Sequence, residues 1–258
     1  MKVNRIYFSP TNSTKKVLEL ISGEWDGEIE DIDISNPHKD YSAYCFAENE
    51  LCLIGVPSFG GRVPAIALER LMSMKASATP TVLVATFGNR AYDDTLLELK
   101  DALSSRGFHI VAAIAAATEH SLMHQYGTGR PNADDQKELK TWARRIKDVL
   151  AQGANLPEIE VKGTRPYVTY TGLPLNPSAH NRCTQCGVCA AQCPTEAIPP
   201  ANPKITDKDR CITCMRCVAL CPEGARKINP VVLFVAGIKM KKACVEQKPN
   251  ELFFEEAH

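Results

Sequence analysis

Eight of the eleven cysteines in this chain fall in two runs of identical spacing. Residues 183–194 read CTQCGVCAAQCP and residues 211–222 read CITCMRCVALCP, each a C-x₂-C-x₂-C-x₃-C-P pattern. A single offset of 28 residues carries Cys183, Cys186, Cys189 and Cys193 onto Cys211, Cys214, Cys217 and Cys221, and Pro194 and Ala197 onto Pro222 and Ala225. The chain therefore holds an internal repeat built on thiols. Disulfide frameworks belong to oxidising compartments and small secreted domains. This chain has 258 residues, and its start, Met1-Lys2-Val3-Asn4-Arg5, leads into a short strand-like run rather than a signal-type apolar region. In that setting, dense and regularly spaced thiols point to metal.

The spacing narrows the metal chemistry. Three thiolates at steps of three residues wrap three irons of a cube from one short loop. The fourth begins a helix-like segment aimed away, and in such runs it ligates the other cluster. The expected sets are crossed: one [4Fe–4S] cluster on Cys183, Cys186, Cys189 and Cys221, the other on Cys211, Cys214, Cys217 and Cys193. The proline after each fourth cysteine ends local structure and removes an N–H donor near sulfur. Structural zinc sites usually pair C-x₂-C knuckles across a longer loop, which these compact runs fit poorly. This part of the chain resembles a bacterial-type ferredoxin. Of the other cysteines, Cys45 and Cys52 flank the third strand, with Cys52 expected in the core, and Cys244 is a tail thiol beside Lys241 and Lys242.

Residues 1–156 have a different texture. Strand patterns (NRIYFS, EIEDIDI, ELCLIGV, TVLVATF and HIVAAIAAA) alternate with helical periods near 11–22, 64–75, 93–106 and 133–152. Five strands with intervening helices predict a doubly wound α/β domain with a parallel sheet covered on both faces. The link 35–49 carries the weakest helical pattern. Residues 157–173, rich in Pro, Gly and Thr, read as a linker that wraps the surface. A small α+β domain follows at 174–230, and 231–258 is a C-terminal extension with a helix expected to pack on the cysteine-rich part. Lysine plus arginine equal aspartate plus glutamate at 30 each, so no charge excess argues for nucleic acid. The apolar stretch VVLFVAGI is too short to span a bilayer. A cytoplasmic protein is expected, with its oligomeric state open to a homo-oligomer.

Three loops of the first half carry the second chemistry. After the first strand, residues 9–14 read SPTNST. A strand-to-helix turn presents backbone N–H groups at the positive end of a helix, which suits an anion. The chain has neither G-x₄-G-K-[ST] nor G-x-G-x-x-G. The hydroxyls of Ser9, Thr11, Ser13 and Thr14, around Asn12, suit one phosphate monoester instead. After the third strand come Pro57, Ser58, Phe59, Gly60 and Gly61. After the fourth come Thr86, Phe87, Gly88, Asn89 and Tyr92. Each of these two loops combines an aromatic residue with glycine, where backbone approaches a flat ring. Phosphate loop and two aromatic-glycine loops at the carboxyl edge of a parallel sheet make a flavin site.

The first half resembles a flavodoxin, whose phosphate loop reads [ST]-x-T-G-x-T. Residues 9–14 match except at Asn12, where glycine is usual, and Asn is the next best tolerated residue at positive φ. The whole chain, with SPTNSTKK, PSFGGRVPA, TFGNRAYDD, GRP at 129–131 and both cysteine runs, resembles the flavodoxin–ferredoxin fusion proteins of anaerobes. That resemblance implies FMN and two [4Fe–4S] clusters, and no known substrate. The expected function is electron transfer between redox partner proteins, with one-electron clusters coupled to a flavin that takes one or two. Two other readings stay open. One is a reductase whose flavin acts on a small substrate near His120, His124, Tyr126 and Arg130, in the long loop after the fifth strand. The other is an iron–sulfur sensor whose first half binds a partner.

Overall fold

A computed structural model describes residues 1–152 and 156–255. The first-half strands form where the sequence predicts them: β1 (Val3–Tyr7), β2 (Ile29–Asp33), then, past a two-residue strand β3 (Cys45–Phe46), β4 (Leu51–Pro57). After another short strand, β5 (Lys75–Ala76), come β6 (Thr79–Phe87) and β7 (Phe108–Ala117). β4, β6 and β7 are buried almost throughout, as expected of central strands covered on both faces, whereas edge strand β2 is mostly open. Taken in sheet order, the long parallel strands run β2-β1-β4-β6-β7. Counted along the chain this is 2-1-3-4-5, the order of flavodoxin, with the switch point between β1 and β4.

Helices α1 (Ser13–Ser22) and α4 (Ala133–Ala151) cover one face, burying Val17, Leu18, Ile21, Leu139, Ala143 and Ile146 against Leu53, Val82 and Val84. Helices α2 (Ala65–Ser73) and α3 (Thr95–Ser104) cover the other, with Leu71, Leu96, Leu99 and Leu103 against Ile6, Ile54 and Leu83. A capping box between Asn132 and Asp135 starts α4. The 35–49 link forms no helix. It is held instead by Tyr41, whose hydroxyl donates to the carbonyls of Asp33 and Asn36, and by the β3–β5 pair.

The tail departs from expectation. Residues Glu251–Phe254 form a strand, β10, antiparallel to β7, so the sheet has six strands and a mixed edge. Leu252 and Phe254 join the α1/α4 face and Phe253 the other. The apolar run thus shields an edge that would otherwise expose unpaired backbone. Among the described residues no helix is long and apolar enough to cross a membrane.

The cysteine-rich part holds a two-stranded antiparallel pair, β8 (Ser178–Ala179) with β9 (Arg226–Lys227), and one-turn helices α5 (Val188–Ala191) and α6 (Arg216–Ala219). The repeat extends to the backbone. Left-handed residues recur at the same offset: Gln185 with Thr213, Gly187 with Met215, Glu196 with Gly224. Helix α7 (Pro230–Cys244) follows. Its Leu233 and Ala236 pack against both the cluster that holds Met123 and Tyr126 of the sheet domain and the cluster that holds Met215 and Ile228 of the cysteine-rich part. It therefore bridges the two parts rather than packing on one.

The linker is tied down. Asp94 accepts from the N–H groups of Thr164 (2.8 Å) and Val168 (2.6 Å), Arg62 donates to Val168 O (2.9 Å), and Asp101 pairs with Arg165. Arg70 then joins the domains directly, donating to Ile34 O and Pro194 O at 2.7 Å each.

Candidate functional site

The eight thiols are gathered as two sets, and the sets are crossed. Cys183, Cys186, Cys189 and Cys221 line one small cavity. In the other set, Cys214 feels the charges of Cys217, Cys193 and Cys211. Among the described residues, no three His, Cys, Asp or Glu side chains converge as on a single metal ion; the thiols stand around a space. Four soft thiol donors per set suit an iron–sulfur cluster. Burial pushes the Cys214 thiol up to about 12 and Cys217 to about 11, with neighbouring thiols adding to it. Ligation must therefore release protons, and cluster assembly is favoured by rising pH. At Cys221 burial also pushes upward, but the N–H groups of Ala225, Glu223 and Arg226 outweigh it and the net shift is down. The repeat places an N–H on sulfur in both runs: Ala197 N to Cys193 Sγ at 3.3 Å and Ala225 N to Cys221 Sγ at 3.2 Å.

Between the sets lies a cation. Arg226 is 2% exposed, the bulkiest fully buried side chain. Its guanidinium donates to Pro203 O (2.6 Å), Pro177 O (3.0 Å) and Thr206, and lies 3.8 Å from Cys189 Sγ. It also holds down the pKa of Cys217, in the other set.

A cavity of about 390 Å³ opens at the carboxyl edge beside the switch point, within the ~300–1,000 Å³ usual for ligand pockets. The hydroxyl loop forms its floor. Ser9 Oγ accepts from Lys15 N (3.0 Å) and Thr14 bonds Thr86 hydroxyl-to-hydroxyl (2.7 Å), so these two groups brace the loop. Thr11 and Ser13, 3.4 Å apart, line the cavity without such bracing. Asn12 sits at φ 69° ahead of α1 and makes no side-chain cap. With the Lys15 N–H taken by Ser9, the N–H groups of Ser13 and Thr14 are left for an anion. Pro57, Ser58, Phe59 and Gly60 line one wall, and Thr86 and Gly88 another. Glycine is required at 88, where a Cβ would lie 2.8 Å from the His120 backbone.

Five expected flavin contacts sit elsewhere. Asn12 shapes the loop without lining the cavity. Gly61 (φ 86°) packs against Asp93. Phe87 and Tyr92 pack against each other in the core as a tilted pair, 5.4 Å between centroids and 52° between ring planes. The Tyr92 hydroxyl donates to Glu251 of β10. Asn89 clamps the tail, donating to Cys244 O (2.7 Å) and Glu246 O (2.9 Å) and accepting from Lys248 N (3.0 Å).

Their places are taken by residues from outside the three loops. Val168, Tyr170 and Leu173 of the linker line the cavity, as do Ile212, Thr213 and Cys214 of the second cysteine run. The Tyr170 ring rests on Gly60, where a Cβ would come within 2.1 Å of it. No periodicity in the linker marks Tyr170. The signal available was its composition: an aromatic in a stretch otherwise rich in Pro, Gly and Thr.

Of His120, His124, Tyr126 and Arg130, His120 alone lines this cavity, flanked there by Thr118, Glu119, Ser121 and Leu122 of the same loop. Its Nδ1 accepts from the N–H groups of Leu122 (3.2 Å) and Met123 (3.3 Å). The ring proton therefore sits on Nε2. Burial lowers the His120 pKa to about 4, so the ring is neutral at pH 7. His124 is exposed and pairs with Glu119, Tyr126 donates to Gly237 O, and Arg130 is locked on Asp135 (2.5 Å).

The comparisons with known proteins divide along the chain. Residues 171–226 match the 4Fe-4S dicluster domain. Solved flavodoxins align with the sheet domain. One from the domain Archaea is 12% identical, covering 58% of this chain and 99% of its own, TM-score 0.43. Flavodoxin 1 from Bacillus cereus is 17% identical over 57% of this chain and 98% of its own, TM-score 0.44. A Fusobacterium nucleatum flavodoxin bound to flavin mononucleotide is 16% identical over 57% and 97%, TM-score 0.42. No curated protein matches the chain.

Proposed function

From a flavodoxin-like domain joined to a 4Fe-4S dicluster domain, an arrangement that suggests electron transfer, we propose a relay in which FMN occupies the switch-point cavity and exchanges electrons with two [4Fe–4S] clusters on the crossed cysteine sets. One observation carries this reading. Cys214, a ligand of the second set, lines the same cavity as Ser58, Gly60 and Thr86. A flavin held there and a cluster held by Cys214 would share a wall.

The residues fit such a group. Thr11, Ser13 and the open N–H groups of α1 would take its phosphate. Gly60 and Gly88 leave room for a flat ring, and Tyr170 and Phe59 offer aromatic surface to it. Bound flavin supplies chemistry in one or two electrons, and each cluster supplies one. The protein holds these groups close, shields them from water and keeps His120 as a neutral N–H donor on the cavity wall.

The deciding experiment is anaerobic purification with iron, sulfide, zinc and released flavin counted per chain. About eight irons and one FMN are expected. Iron without flavin leaves a dicluster protein with a partner-binding sheet domain, and zinc without sulfide removes the redox reading. Placement of the flavin is tested by Tyr170→Ala, which should weaken FMN binding about tenfold and raise its residual fluorescence. His120 favours one further reading, direct reduction of a small substrate. Saturable steady-state turnover of an organic acceptor, lost in His120→Phe, would support it.

A further inference from the structure

Helix α7 has apolar residues on two opposite sides. Leu233, Ala236, Met240 and Cys244 face inward, in the clusters that contain Met123, Leu175 and Met215. Positions 231, 234, 235, 238, 242 and 245 share the other side of a 3.6-residue helix. There Val231, Phe234, Ile238 and Val245 are 70%, 69%, 60% and 64% exposed. Single exposed apolar residues are ordinary, but a continuous stripe marks an interaction surface. Lys242 lies within the stripe, and Lys239 and Lys241 flank it on either side, all exposed. No ion pair engages these lysines among the described residues, and the helix carries no Asp or Glu.

We infer that α7 is a docking helix for an anionic membrane surface, on which the protein lies without spanning. Charge decides the occupant. The face offers three cations and no anion, so two copies of α7 would bring like charges together, whereas acidic lipid headgroups complement them. Side-chain type points the same way. Protein interfaces favour Tyr, Trp, Phe, Arg and Met and are depleted in Lys, and Val is rare among their hot spots; the stripe and its flanks hold one Phe against three Val and three Lys. Aliphatic residues and Phe at the centre of a convex helix, with lysines that reach outward from its flanks, are the pattern of an interfacial helix. The 15-residue helix is about 22 Å long, enough to lie in the headgroup plane and too short to cross the hydrocarbon core. This inference is independent of the flavin and cluster reading.

The test is co-sedimentation of the anaerobically purified full chain with vesicles of phosphatidylcholine containing roughly one-third phosphatidylserine. Binding is expected, about 100-fold weaker on phosphatidylcholine alone and weakened by salt, since each lysine near an anionic surface contributes about a factor of five. Phe234→Ser with Ile238→Ser should weaken it at least ~10-fold. Replacing Lys239, Lys241 and Lys242 by Gln should weaken it about 100-fold. Far-ultraviolet circular dichroism and a thermal midpoint equal to the parent's show that each variant has folded. Absence of binding to the anionic vesicles overturns the inference, as does binding unchanged in the lysine variant. So does a dimer in sedimentation equilibrium that the Phe234/Ile238 variant dissociates while neither protein binds vesicles; a second copy would then cover the stripe.

Discussion

The two cysteine runs share spacing, offset and left-handed backbone positions, yet the protein places them in unlike surroundings. The set of Cys183, Cys186, Cys189 and Cys221 lies toward the outside, with Cys186 exposed. The second run abuts the switch-point cavity through Cys214, and its Met215, where the first run has Gly187, packs under α7. The break in symmetry is sharpest one residue beyond the shared alanine. Ile198 and Arg226 occupy equivalent places and both are 2% exposed, but one is apolar and the other is a cation between the thiol sets. Duplicated ligands thus fix what is held, and unduplicated neighbours set its electrostatics and access.

The crossed ligation is the strongest test of that comparison. Cys193→Ala should cost the cluster of Cys211, Cys214 and Cys217, although Cys193 belongs to the first run. Iron should fall by about half, and the surviving cluster should be the one on Cys183, Cys186, Cys189 and Cys221. Electron paramagnetic resonance of the reduced variant, set beside Cys186→Ala, distinguishes the two. Loss of the same signal in both variants would mean that each run ligates its own cluster.

The cavity-facing side also carries a pH dependence. Burial holds the His120 pKa at about 4 in the folded chain, against the 6.5 of a free histidine side chain. The unfolded chain binds this proton more readily, so the stability from a neutral His120 is complete above pH 6.5 and is lost as pH falls toward 4. The loss amounts to roughly 3 kcal/mol at most. Anaerobic denaturation midpoints across that window should fall less steeply for His120→Asn than for the parent. Parallel curves would mean that the imidazole is solvated.

Arg226 tests the electrostatic half of the comparison. Reduction adds negative charge to a cluster, and a buried cation favours that form. At an effective dielectric of 20 and about 7 Å, one charge is worth roughly 2 kcal/mol, or ~100 mV for one electron. Arg226→Gln should lower both cluster potentials by that order, and Arg226→Lys should retain most of the parent values. Potentials unchanged in Arg226→Gln would reduce the residue to a packing role.

What was legible in the sequence was local. The cysteine spacing and the SPTNST turn each place their ligands within one short loop, so one stretch of chain contains the geometry. The parallel strands declared themselves because each is a buried apolar run. Phe87, Asn89 and Tyr92 have the pattern of a ring-binding loop, but tail residues 244–251 bind Asn89 and Tyr92, and Phe87 packs against Tyr92 in the core. That competition spans more than 150 residues and leaves no local trace. Tyr170 went unread for the converse reason: it lines the cavity because Asp94 and Arg62 anchor the linker around it. Strand β10 is only four residues long, and its pairing depends on the open edge of β7.

The smallest expected effect probes how closely the two runs remain equivalent. Glu196 and Gly224 occupy the same place in the repeat, at φ 50° and 54°. A left-handed conformation costs an L-residue about 1–2 kcal/mol, whereas glycine adopts it freely but loses about 0.4–1 kcal/mol more chain entropy on folding. Glu196→Gly also removes an ion pair with Arg210, at 3.2 Å between half-exposed side chains, a contact worth little. The balance favours the variant by about 0.5 kcal/mol. At Gly224 a Cβ meets nothing within 4 Å, so Gly224→Ala carries the conformational cost alone and should lose about 1 kcal/mol. Guanidinium midpoints of cluster bleaching, measured anaerobically, should therefore move in opposite directions for the two variants. Movement in the same direction would show that surroundings outweigh backbone even where the repeat is most faithful.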